Sequence, residues 1–190
     1  MILDPEEMSH RDFYRQLIAC ITPRPIAWVS SVSPNAITNL APFSFFNGIG
    51  ANPPAIMFSP LNRRDGSRKD TVLNVEATRE FVVNIVSASL ADRMNACSAE
   101  YPHDVSEFEK CGLTPIPSLK VKPPRVGESL IQMECVLHQL VRVGDGPLSA
   151  NVIIGRIVMM HAAESVLNAA GEIDPDRLDT IGRMAFQLRW

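Results

Sequence analysis

A chain of 190 residues suits a single domain, residues 1–190, long enough to bury roughly 70% of its unfolded surface in one core. Eighteen Lys and Arg against 21 Asp and Glu leave a formal net charge of -3, and with a pI near 5.8 and no Lys/Arg block the chain lacks the basic face a nucleic-acid partner requires. The acidic opening MILDPEEMSHRD has no apolar run, and the most continuous apolar tract, VIIGRIVMMHAA at 152–163, is short and holds Arg156; neither a signal segment nor a membrane span is expected, and the chain reads as a cytoplasmic protein with a small partner.

In chain order, SHRDFYRQLIAC at 9–20 opens with Ser9, has Asp12 three positions on, and sets Phe13, Leu17 and Cys20 on one stripe, which predicts a short helix. PIAWVSSV (25–32) and AITNLAPF (36–43) are strand-forming runs around the turn SPNA, the signature of a hairpin. NLAPFSFFNGIGANPP (39–54) holds three prolines, two glycines and three phenylalanines with no charge. It reads as a stiff loop, either a buried crossing at a barrel end or backbone held open for a flat apolar ligand. AIMFS (55–59) and EFVVNIV (80–86) are compact strands; between them lie a wet loop and a helix from about Asp70, whose carboxylate can cap the next turn.

SLADRMNACSAE and DVSEFEKCG predict short surface helices, the second stopped by Gly112. LIQMECVLHQLVRV (130–143) alternates as a half-buried antiparallel strand requires: Met133, Cys135, Leu137, Val141 and Val143 face one way, Gln132, Glu134, His138 and Arg142 the other. The turn GDGP leads into a long strand from about Asn151 to His161. About seven strands with few helices suggest a closed or split β-barrel.

Cys20, Cys97, Cys111 and Cys135 form no C-x-x-C pair, and His10, His103, His138 and His161 fall in no metal-binding spacing, so no metal is expected and the cysteines read as small core residues. Two stretches carry chemistry. Thr38, Asn39 and Ser44 flank a run in which Pro42 fixes the backbone, a cradle for a planar heterocycle edged with donors and acceptors. GSRKDT (66–71) sets Ser67, Arg68, Lys69 and Thr71 around a helix N-terminus, where free amides and cations attract phosphate; an ordinary capped helix has the same pattern. A ring cradle and a monophosphate anchor on one small β-barrel point to flavin mononucleotide.

TPRPIAWVSSV, TNLAPFSFFNGIGANPPAIMFSP, RKDTVLNVEATREFVVNIV, LKVKPPRVGESLIQMECVL, VIIGRIVMMH and DPDRLDTIGR, in that order over about residues 22–183, resemble the flavin reductase-like, FMN-binding split-barrel family, which includes flavoredoxins. The resemblance implies a mainly β fold with short helices, a six-stranded antiparallel split barrel that forms a homodimer with FMN near the interface. It implies that Asn39, Leu40, Ala41, Pro42 and Ser44 line the isoalloxazine ring and that Ser31 and Ser59 border the ribityl chain. By the same resemblance Ser67, Lys69, Asp70 and Thr71 would hold the phosphate, and Arg24 and Arg183 would lie near the site. The chemistry would be the cofactor's, taking hydride from NADH or NADPH and passing electrons to free flavin, an iron centre or a partner oxygenase, so no catalytic acid or base is named. The absence of a G-x-G-x-x-G fingerprint keeps open a flavin-binding electron carrier without its own NAD(P)H activity.

Two departures stand out. SPNA replaces the family's frequent Asp-Gly turn, and after Gly-Arg the chain reads MAFQLRW instead of a Leu-Gly-Gly run with an aromatic, leaving Phe186 and Trp190 as candidates to cover the ring. His161 occupies a family-like position but reads as a satisfied barrel histidine.

Overall fold

The computed structural model describes residues 1–185 and the backbone of 187–189; Phe186 and Trp190, the candidate ring covers, lie outside the described residues. Helix α1 (His10–Cys20) starts at Ser9, whose hydroxyl accepts from the Asp12 amide and donates to its carboxylate at 2.6 Å. Its inward face is rotated from the expected stripe: Ile18 is buried and Cys20 exposed. There follow β1 (Ala27–Val32), β2 (Thr38–Phe43), β3 (Phe46–Ala51), β4 (Pro54–Phe58), α2 (Asp70–Thr78), β5 (Glu80–Asn84), α3 (Ala91–Ala96) and α4 (Glu107–Lys110). The chain continues through β6 (Pro115–Ile116), β7 (Arg125–Val126), β8 (Ile131–Val143), β9 (Ala150–Ala162), α5 (Pro175–Leu178), β10 (Gly182–Met184) and β11 (Gln187–Arg189).

Antiparallel pairing gives one sheet in the order β2-β1-β5-β8-β9-β4-β3, open between its edges β2 and β3, with β6-β7 and β10-β11 as separate small ribbons. The main sheet therefore has seven strands, in line with the count read from the residues and one more than the six that the resemblance implies. The addition is β3, inside the stretch read as a stiff loop. It pairs with β4 from Phe46↔Phe58 to Ala51↔Pro54 across a bulge at Gly48/Gly50, and all its residues after Phe46 are exposed, so it shows no apolar alternation to betray it. Its exposed edge position also explains why glycines are tolerated there.

The β1–β2 hairpin forms as predicted, and both faces of β1 are covered. Ala27 and Val29 pack with Phe43, Phe58, Val72, Val75, Phe81 and Val83 in one cluster, while Trp28 joins Leu40, Met94, Phe108 and Val126 in another on the opposite face. Strand β8 departs from simple alternation. Its polar positions Gln132 and Glu134 are buried, whereas Val141 and Val143 at the far end are exposed, because the β8–β9 ribbon runs on beyond the covered part of the sheet and two bulges shift its register. Glu134 is satisfied by the Leu119 and Lys120 amides at 2.8 and 2.6 Å and by His161 at 2.6 Å, so His161 is indeed a hydrogen-bonded barrel histidine. Of the cysteines, Cys97 and Cys135 are buried as expected, Cys111 partly so.

Candidate functional site

Two adjoining cavities lie against β2 and the start of α2, sharing Pro42, Arg63, Lys69 and Glu100. The larger, about 270 Å³, is walled by Tyr14, Pro42, Phe43, Ser44, Phe45 and Ser59 with Asn62, Arg63 and Arg64. The narrower one runs between β2 and residues 97–101 past Asn39, Ala41, Asp70, Thr71 and Glu107. The sequence builds this wall because β2 is an edge strand: its Pro42 costs no ladder bond toward a neighbour, and β2 packs against α2, α3 and α4, which close the groove.

The cations of the groove differ in what they hold. Arg63 is spent on Asp70, Nη2 to Oδ2 at 2.8 Å, and the other Asp70 oxygen is 3.5 Å from His103 Nδ1. Asp70 is therefore not the expected cap: Lys69 is the N-cap residue of α2, no side chain caps the helix, and the Lys69 carbonyl takes only the Val72 and Leu73 amides at 2.9 and 3.2 Å, which leaves the Asp70 and Thr71 amides at the helix end. Lys69 has no salt-bridge partner among the described residues; its ammonium stands 5.7 Å from the Phe43 ring centroid. Burial, and then Arg63 beside it, push its pKa below the ordinary lysine value, with Glu100 pulling the other way. A desolvated ammonium beside open helix amides is a strong receptor for an anion.

Behind the groove runs a polar network. Asn39 Oδ1 accepts from Thr71 Oγ1 at 2.7 Å and Ser31 Oγ at 3.3 Å, its Nδ2 donates to Glu107 Oε1 at 2.7 Å, and Asn74 donates to Ser31 at 3.1 Å. Ser31 and Thr71 are thus buried connectors. Leu40 turns its side chain fully into the second core cluster and gives its amide to Glu107 Oε2 at 2.8 Å, so neither group faces the groove. Ser67 is exposed, off the cavity wall, and bonded through its amide and hydroxyl to Asp65, an association that holds the Asp65 carboxyl below its usual pKa.

Arg24 is not on the surface: it is buried, donates to the Ile18, Ile21 and Ala185 carbonyls and to Ser44 Oγ, and covers the Phe45 ring at 5.7 Å. Burial lowers its pKa. Its backbone pairs with Arg183 through bonds of 3.0 and 2.8 Å. Arg24 also lines a large open cavity of about 710 Å³, walled by Pro23, Pro25, Ile26, Phe46, Ile85, Val86, Ile181 and Met184 and overwhelmingly apolar. The Arg24–Ser44 bond makes the two sites neighbours. Arg63, Asn62, Glu100 and Glu107 carry no local sequence signal for the site: Arg63 sits in a loop that looks merely wet, and Glu107 in a helix that looks like surface, its partners lying 67 and 68 positions away.

Residues 19–177 match the family model described as the flavin reductase like domain. The chain belongs to the flavin reductase-like family. An uncharacterised protein of Aquifex aeolicus is 41% identical over 94% of this chain and 89% of its own. The crystal structure of nitrilotriacetate monooxygenase component B from Bacillus cereus is similar with a TM-score of 0.93 at 38% identity, covering 100% of this chain and 94% of that one. A protein with a split barrel domain from Shewanella frigidimarina matches at a TM-score of 0.81 and 24% identity over 96% of this chain and 90% of its own, which shows the fold. This flavin reductase-like chain is a split barrel, mainly β with short helices, and no helix among its described residues is long and apolar enough to cross a membrane.

Proposed function

We propose that the protein is a single-domain cytoplasmic oxidoreductase that binds FMN and uses NADH or NADPH to reduce it, delivering electrons to free flavin, an iron centre or a partner oxygenase. The observation that carries this reading is the pairing of an uncharged, proline-stiffened β2 wall with an unpaired, desolvated Lys69 at the open N-terminus of α2, in a chain of the flavin reductase-like family. The donor set fits the group. Lys69 and the first α2 amides would hold the phosphate, Ser44, Ser59 and Asn62 would face the polyol arm, and Ala41, Pro42 and Phe45 would present an uncharged surface to the ring. When bound, the flavin supplies hydride acceptance and onward electron transfer. The chain's own part is to orient it, keep water from one face and neutralise its anion. The Bacillus cereus relative, named as a monooxygenase component, favours a partner oxygenase as acceptor.

The same reading includes a homodimer. The open 710 Å³ apolar cavity and the exposed β3 edge, with Ile49 half exposed, would be covered by an isologous contact beside the flavin site. Sedimentation with FMN present tests both claims: a dimer that carries flavin absorbance is expected, and a monomer that retains its flavin would overturn the dimeric site. Failure of FMN to bind in equilibrium dialysis would overturn the function itself.

A further inference from the structure

We propose that Glu107 is the positioning residue of the flavin site, fixing the β2 backbone at Leu40 and the Asn39 side chain at once so that the ring wall and the phosphate anchor stay in one register. The inference rests on the flavin reading above and deepens it. Glu107 reaches from α4 to β2 and uses each carboxylate oxygen separately, Oε2 for the Leu40 amide at 2.8 Å and Oε1 for Asn39 Nδ2 at 2.7 Å. Asn39, so oriented, has its oxygen left to accept from Thr71, the second residue of α2 and next but one to Lys69. One carboxylate therefore ties the strand that walls the groove to the helix end that attracts the anion. A carboxylate only 7% exposed is costly, and an apolar residue would cover Leu40 more cheaply if packing were its whole task. Its position on the groove wall indicates what the cost secures.

The geometry makes the site sensitive to acid. The Leu40 and Asn39 groups facing Glu107 are both N–H donors, so a protonated carboxyl, or an amide in its place, meets one of them with a donor where the carboxylate had an acceptor. Burial moves the Glu107 carboxyl above its ordinary value, against the bonds from the Leu40 amide, its own backbone amide and Asn39 that lower it, with Asp70 adding to the rise. The other titratable or charged groups facing it across the groove are Lys69, Arg63, Glu100, Tyr101 and Cys97, with His103 beside Asp70 and Cys111 at the end of α4. Ionised Glu107 is the binding-competent form, so flavin affinity is full above its raised pKa and falls as pH drops through it.

The test uses riboflavin as the probe, because it has no phosphate whose own titration would enter the profile. Dissociation constants are read by flavin fluorescence at about pH 7.5 and about pH 5 for the parent, Glu107→Gln and His103→Ala, with apo melting temperatures alongside. The parent and His103→Ala are expected to lose affinity on acidification, by at most the roughly tenfold that one charge-assisted bond is worth. Glu107→Gln is expected to bind weakly at both pH values with a flat profile. Should Glu107→Gln not fold, hydrogen exchange of the Leu40 amide in the parent reads the same event and should lose protection in step with affinity. A Glu107→Gln profile identical to the parent's, a flat parent profile, a profile abolished by His103→Ala, or Leu40 protection indifferent to pH overturns the inference while leaving flavin binding intact. A parent that binds neither riboflavin nor FMN at either pH overturns the flavin reading as well.

Discussion

Replacing Lys69 by methionine separates a phosphate anchor from a structural lysine. Methionine keeps the stem against Phe43 and removes only the charge, which has no salt-bridge partner among the described residues and lies beside the cationic Arg63. In the apo protein that charge is a burden. A base whose folded pKa is depressed binds fewer protons folded than unfolded, so its contribution to stability rises with pH between the two values and is unfavourable at neutrality. Lys69→Met should therefore leave the apo melting temperature unchanged or raise it, each 1 kcal/mol of relief being worth about 2–4 °C in a chain of this size. With FMN the sign reverses: one charge-assisted phosphate bond of about 1.5–3 kcal/mol disappears, a rise in Kd of roughly 10- to 150-fold. Riboflavin, without the phosphate, should bind as before. Fluorescence titrations with both ligands and thermal melts of the apo forms decide the matter. Equal losses for FMN and riboflavin, or an apo melting temperature several degrees lower, would show that Lys69 supports the fold and does not read the phosphate.

Pro42→Gly should raise the Kd for FMN by more than its small loss of contact implies, since the freed edge strand must be ordered at each binding event; a large drop in apo melting temperature with affinity intact would make Pro42 purely structural. Gly155→Ala places a methyl 2.3 Å from Cζ of Phe81, a ring fully buried against Phe58, and should cost about 1–3 kcal/mol in urea unfolding; an unchanged midpoint would show that the ring can yield. Burial pushes the Glu134 carboxyl up, but the Leu119 amide, His161 and the Lys120 amide outweigh it and hold the pKa below the ordinary value. Its stabilisation is thus complete above about pH 4.3 and lost as pH falls through the depressed folded value, so Glu134→Gln should flatten the acid limb of the stability curve; an acid limb as steep as the parent's would contradict this.

The fold was legible wherever local chemistry and periodicity agreed. Ser9 with Asp12, the SPNA turn and the Gly112 stop each place an element end with a backbone reason, and the structure has all three. Strand β3 was hidden because an exposed edge needs no alternation and its glycines read as loop. The buried Glu134 and Gln132 were misplaced on a solvent face because period two fixes which residues share a face, not what covers it. At the site, the cluster of Asn39, Ala41, Pro42, Ser44, Ser59, Lys69 and Thr71 came from local motif and resemblance, whereas Arg63 and Glu107 came only from tertiary placement. Leu40 shows the limit most clearly. A residue in the middle of a motif that lines the groove can still point its side chain away, because successive strand residues alternate faces.

On the proposed reading, this groove holds a flavin which a pyridine nucleotide reduces. Anaerobic titration of the FMN-loaded protein with NADH and with NADPH, followed by visible absorbance, tests it most directly. Bleaching of the flavin bands by a stoichiometric amount of either nucleotide is the predicted result; bands that dithionite bleaches while both nucleotides leave them untouched would contradict the reductase and make the protein an electron carrier.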